Sequence, residues 1–169
     1  MDTSPTLHDL LKGRFAIVRK DLDEIISRLA DTDLDWAPGP GMRTVRGQLI
    51  EIAATERQIL TWVRDHRQMP IEEAETFESD TTTLAGLGDA LSKVRTDTLA
   101  YIDGQSQDEL QALQSFPPGW WEALGLAEVP KSEALRSIAA HEWYHTGQLV
   151  SYLWARGDNP YSWPKKASG

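Results

Sequence analysis

The chain has 169 residues, a formal net charge of −9, and is 40% hydrophobic and 25% charged. That is the composition of one ordinary globular domain over 1–169, large enough to bury about 70% of the surface its unfolded chain exposes. Lys and Arg cluster only at Lys165–Lys166, no run approaches the ~20 apolar residues of a membrane span, and there is no cysteine, so nucleic acid, a membrane, disulfides and an internal thiol are all excluded as expectations.

The first helix is expected from Ser4 as N-cap with Pro5 at the first helical position. Leu7, Leu11, Phe15, Val18, Leu22, Ile25 and Leu29 recur at helical steps and form its apolar face. Pro38, Gly39, Pro40 and Gly41 break the pattern. A second helix follows from about Thr44 to Arg67, with Val45, Leu49, Ile52, Ile59 and Val63 inward. Met69 to Thr81 is an acidic linker. The third helix spans about Thr82 to Ile102 on Leu84, Leu87, Leu91, Val94 and Ile102, although Gly86 and Gly88 weaken its start.

Ser106 and Glu109 spell a capping box that opens a short helix through Gln114. Pro117 and Pro118 stop it, and an aromatic loop with Trp120 and Trp121 runs to Pro130. Ser132 is expected to cap a fourth long helix that ends near Arg156, with Gly157 beyond it. The tail is a loop pinned by Tyr161 and Trp163. No repeat and no strand is evident. The fold class is therefore all-α, a four-helix bundle with one short extra helix.

The chemistry concentrates in His141-Glu142-Trp143-Tyr144-His145. Residues four apart are neighbours on a helix face, so the two imidazoles can converge on one ion. Imidazole suits zinc, nickel, iron or copper. Two ordinary helix histidines are the plainer alternative. The same five residues also spell H-E-x-x-H, in which the glutamate activates water for peptide hydrolysis. That motif helix belongs beside a sheet, with a further ligand after it, and neither is visible. Glu142 is nonetheless the candidate catalytic residue.

Three features resemble the DinB/YfiT-like superfamily. Ile138 to Leu149 is close to that family's H-x-x-x-H-x-x-Q segment on the last helix, with Gln148 as the closing amide. Thr44 to Ala53 resembles its second-helix segment. The order of long helices, turn-rich breaks and aromatic loop is also similar, so the resemblance covers nearly the whole chain. It implies an up-down-down-up bundle holding a divalent metal on three histidines. Two match His141 and His145. The third position, on helix two, is Glu51 here. Two histidines with one carboxylate remain an accepted set for zinc or iron. Zinc or nickel leads, with iron and manganese as alternatives. A solvated Glu51, or one paired with a protonated His141, is the competing reading.

On a helical wheel Glu56 and Glu142 both point to the core, where an unpaired charge is costly. Arg14 lies in the first stripe, so a buried Arg14–Glu56 or Arg14–Glu142 pair is expected. Either carboxylate could instead orient a ligand histidine or accept a proton. Gln148 shares the flank of His141. The chain has 7 tryptophans; Trp36, Trp62, Trp143 and Trp154 read as packing, Trp62 with a chance of lining a pocket near Glu51. Trp120 and Trp121 either cover the metal end or plug a gap.

Some members of the resembled family are thiol-dependent transferases or isomerases. The resemblance thus implies a metal-dependent enzyme acting on a small-molecule substrate, with a low-molecular-weight thiol from outside this cysteine-free chain. The alternatives are a non-catalytic, metal-stapled homodimeric binding protein and a zincin-like hydrolase. The opening Met1-Asp2-Thr3-Ser4-Pro5 carries no basic segment followed by an apolar run, which points to the cytoplasm.

Overall fold

The computed structural model describes residues 4–120 and 125–164. Four long helices carry the fold: α1 Leu7–Ile26, α2 Val45–Asp65, α4 Leu84–Asp103 and α6 Lys131–Ala155. Two short helices lie between them, α3 Ile71–Ala74 and α5 Gln107–Gln111. Among the described residues no helix is long and apolar enough to cross a membrane.

The caps follow side-chain chemistry rather than mere proximity to the apolar run. α1 starts after Thr6, not Ser4: Thr6 Oγ1 accepts from the Asp9 N–H at 3.1 Å, and Asp9 accepts from the Thr6 N–H at 2.9 Å. Asp9 at the third helical position makes the box reciprocal, whereas the residue three after Ser4 is Leu7, which has no side-chain acceptor. Thr44, where the second helix was expected to begin, is the N-cap of α2. α4 is capped by Thr83, and a Cβ on Gly86 would stand 1.9 Å from the Asp80 carbonyl oxygen. Gly86 is thus required for a close approach at the helix start. The Ser106–Glu109 box opens α5, but that helix stops at Gln111.

Strands do occur. β1 Leu113–Ser115 pairs antiparallel with β2 Glu128–Pro130, Gln114 opposite Val129. Three residues per strand are too few to display a period of two, so the ribbon has no sequence signature. α6 leaves β2 directly at Lys131, so Ser132 sits inside its first turn and caps nothing. Trp163 pins the tail through Asp158 at 2.7 Å and lies under the Arg28 guanidinium. Tyr161 does less, being 85% exposed.

The buried side chains fall into two apolar clusters, and these fix the helix directions. One gathers Leu22 and Ile25 late in α1, Leu49 and Ile52 early in α2, Leu87 and Leu91 early in α4, and Leu149 and Leu153 late in α6. The other gathers Leu11 and Phe15 early in α1, Ile59 and Val63 late in α2, Ile102 late in α4, and Leu135 and Ile138 early in α6. So α1 and α6 run one way and α2 and α4 the other, which is the up-down-down-up order. α6 packs on both α1 and α2, and α2 on α4.

A charged layer separates the two clusters. Each long helix contributes one residue: Arg19, Glu56, Arg95 and Glu142. Arg95 bonds Glu56 Oε1 at 2.8 Å and Glu56 Oε2 at 3.0 Å, and also reaches Glu142. Arg19 bonds Glu142 Oε1 at 2.8 Å and Glu142 Oε2 at 3.3 Å. Each guanidinium also donates to a backbone carbonyl across the bundle, Arg19 to Leu91 and Arg95 to Phe15. The expected Arg14 pairing is therefore wrong. Arg14 is exposed, and Arg19 and Arg95 hold the two acids. Burial works against the Arg95 charge, and the two carboxylates more than offset it.

Candidate metal centre

α2 and α6 pack side by side, so residues at matching heights on their shared seam meet. Glu51 lies two turns into α2; His141 and His145 lie one turn apart in α6. One donor atom from each falls within 4.8 Å of the others, the only such group of three among the described residues. The two imidazoles face each other, Nε2 to Nε2 at 3.1 Å. Glu51 Oε2 stands 3.7 Å from His145 Nε2 and is held there by Arg43 Nε at 2.8 Å. Thr55 Oγ1 lies 3.5 Å from His141 Nε2.

The electrostatics favour lone-pair donors over cations. Burial pushes His141 from its ordinary 6.5 down to about 4, with His145 adding to the shift. Burial lowers His145 as well, against the opposing pull of Glu51. At neutral pH both rings are uncharged, the form that ligates a metal.

The donor set fits a divalent ion. Nitrogens each ~2.0–2.1 Å from one zinc stand ~3.3 Å apart at a tetrahedral angle and ~2.9 Å apart at a right angle, and the observed 3.1 Å lies between. Gln148, one turn after His145, lies close enough to its ring to favour the charged form.

Behind His145 runs a chain of polar groups. Its Nδ1 bonds Gln48 Oε1, Gln48 Nε2 meets Tyr152 Oη at 3.2 Å, and that hydroxyl donates to the Arg43 carbonyl at 2.8 Å. None of these three residues stood out as functional in the sequence.

Glu142 is elsewhere. It neighbours His141 in sequence, but its side chain points into the charged layer and both carboxylate oxygens are taken by Arg19 and Arg95. It is 1% exposed and outside the convergent group. A buried carboxylate paired with two guanidiniums and aimed away from the convergent group is not placed to take a proton from water at that centre. Glu56 shares that layer.

A cavity of about 430 Å³ opens beside His141, between α2, α6 and the loop after β1. Thr55, Ile59, Met69, Trp120, Ser137 and His141 line it, together with two glutamine amides. Among the described residues no acid, lysine or arginine does so. Trp120 thus lines the same cavity as His141; Trp121 lies outside the described residues. Trp62 does not line this cavity. It donates to the Ser115 carbonyl at 2.7 Å and packs against Phe116, which stacks on Trp120.

Comparison with known proteins agrees with this architecture. The family model described as DinB superfamily matches residues 14–149. The chain is similar in fold to a conserved protein of Enterococcus faecalis, at 16% identity and a TM-score of 0.65, covering 91% of this chain and 99% of that one. It is likewise similar to a DinB-like protein of Bacillus cereus, at 17% identity and a TM-score of 0.62, covering 87% and 91%. No curated protein matches the chain.

Proposed function

The chain belongs to the DinB superfamily, and from that premise we propose that it is a divalent-metal-dependent enzyme that joins a small external thiol to an uncharged organic electrophile. The observation that carries the reading is the convergence of Glu51, His141 and His145, with His141 also lining an uncharged cavity. Three protein donors leave positions open to a reactant, as catalytic centres do. A divalent ion held there would lower the pKa of a bound thiol from ~8.5 and keep it as thiolate.

The rest is the work of this chain's own residues. His141 and His145 offer neutral nitrogens, and Arg43 aims the Glu51 carboxylate. The cavity wall offers amide and hydroxyl groups for orientation, Gln58, Thr55 and Ser137 among them. Trp120 gives a flat apolar surface on which a planar electrophile can lie. A cavity without fixed charge disfavours phosphorylated or carboxylated substrates on that side.

The hydrolase alternative loses its base, since Glu142 is held by Arg19 and Arg95. The test is metal analysis of protein purified without an affinity tag, wild type beside His141→Ala and Glu51→Ala. Near-stoichiometric metal lost in both variants is the expected result. Wild-type protein that takes up no metal after exposure to zinc, nickel, manganese and iron would refute the reading.

A further inference from the structure

We infer that Gln48 and Tyr152 are positioning residues that hold His145 in its Nδ1-protonated tautomer, leaving Nε2 as the free donor. The inference rests on the metal-centre reading for its consequence, but the tautomer itself does not depend on any ion.

The direction of every proton follows from what each group is able to do. A backbone carbonyl only accepts. Arg43 O lies 2.8 Å from Tyr152 Oη, so the one hydroxyl proton points there. The tyrosine oxygen must then accept from its other neighbour, Gln48, at 3.2 Å. The amide group facing Tyr152 is therefore the NH₂, and the amide oxygen faces His145 Nδ1. An amide oxygen only accepts, so the N–H of the neutral ring sits on Nδ1. This assignment uses the chemistry of the partners and not the naming of the amide atoms.

Nε2 of His145 is left with a lone pair, facing His141 Nε2 at 3.1 Å and Glu51 Oε2 at 3.7 Å. In the metal-free protein the contact between the rings then needs its proton from His141, so the two histidines hold opposite tautomers. Gln48 is 3% exposed and Tyr152 5%, so solvent does not replace either partner. The three groups come from α2, from α6 and from the residue before the α2 cap. Arg43 serves twice, its carbonyl fixing Tyr152 and its side chain fixing Glu51. The end of the bundle that carries the α2 N-terminus thereby sets the donor state of the centre.

Removing the tyrosine hydroxyl is the diagnostic change. With Tyr152→Phe the Gln48 amide is free to rotate and present its NH₂ to Nδ1, which moves the His145 proton to Nε2 and blocks the donor. Partners that orient a ligand histidine in this way are typically worth 10–100-fold in metal affinity.

The test uses full-length, metal-free protein with ¹⁵N-labelled histidine at pH 8, above the ordinary imidazole pKa of ~6.5. Long-range ¹H–¹⁵N spectra report which ring nitrogen is protonated, and zinc affinity is measured on the same samples by chelator competition. Wild type and Gln48→Glu, whose carboxylate also accepts from Nδ1, should show Nδ1–H at His145. Gln48→Leu and Tyr152→Phe should lose it and bind zinc about 10–100-fold more weakly while keeping the native amide spectrum. Nε2–H at His145 in the wild type, or an unchanged tautomer in Tyr152→Phe, would overturn the inference. A wild-type protein with the expected tautomer that binds no zinc would leave the inference standing and defeat the metal centre.

Discussion

His141 and Glu142 are adjacent in sequence yet belong to opposite kinds of site. Glu142 joins a layer of two acids and two arginines in which charge balances and the carboxylate oxygens are bonded. His141 joins a cluster in which lone pairs from three residues converge. Saturation marks the first as a brace between four helices; unmet donor capacity marks the second as a place for a ligand. A one-residue step along α6 turns the side chain by about 100°, enough to pass from one to the other.

The contrast breaks most sharply at Glu142. Glu142→Gln leaves Arg19 and Arg95 buried over the single charge of Glu56, and losing one partner of a buried pair costs about 3–5 kcal/mol. For a chain of this length that is a fall in Tm of roughly 10 °C. Calorimetry of the metal-free protein should show it, and a Tm unchanged within 2–3 °C (about 1 kcal/mol) would mean the layer is not a brace.

The next effect is a dependence on pH. His141 titrates at 6.5 unfolded and at about 4 folded, chiefly because of burial. Between those values the unfolded chain binds the proton and the folded one does not. The contribution is present in full above pH 6.5, is lost as pH falls toward about 4, and amounts to at most about 3 kcal/mol. Denaturant unfolding of metal-free wild type and His141→Gln at pH 7.5 and 4.5 isolates it. The variant should lose less stability on acidification, and equal losses would contradict the shift.

Arg43→Ala should give the smallest change. Its pair with Glu51 is half exposed and contributes under about 1 kcal/mol. Arg43 nonetheless helps to lower both histidines. Their pKa values, followed by NMR titration of the metal-free variant, should rise, and a fall would show that Arg43 does not act on the seam.

Much of this was legible in the sequence, and the parts that were not share a cause. The stripes of α1, α2, α4 and α6, the start of α2 near Thr44 and the Ser106–Glu109 box are local patterns. His141 and His145 show their common face in their spacing, and a resemblance to the DinB family pointed to Glu51. What a wheel does not give is the partner across the bundle. It placed Glu56 and Glu142 inside but put Arg14 in the first stripe as their partner, and it passed over Arg19 and Arg95. Gln48 looked like any polar helix residue because its meaning lies in a tyrosine far along the chain. The β1–β2 ribbon is too short for periodicity.

The most direct test compares zinc affinity, by chelator competition at pH 7.5, in wild type, His145→Ala and Glu142→Gln, each confirmed folded. The account predicts a loss of about 100-fold or more in His145→Ala, at the upper end of what a ligand's own supporting contacts are worth, and only a small change in Glu142→Gln. Zinc lost with Glu142 and kept without His145 would contradict it, placing the ligand in the charged layer and leaving the seam of α2 and α6 as packing.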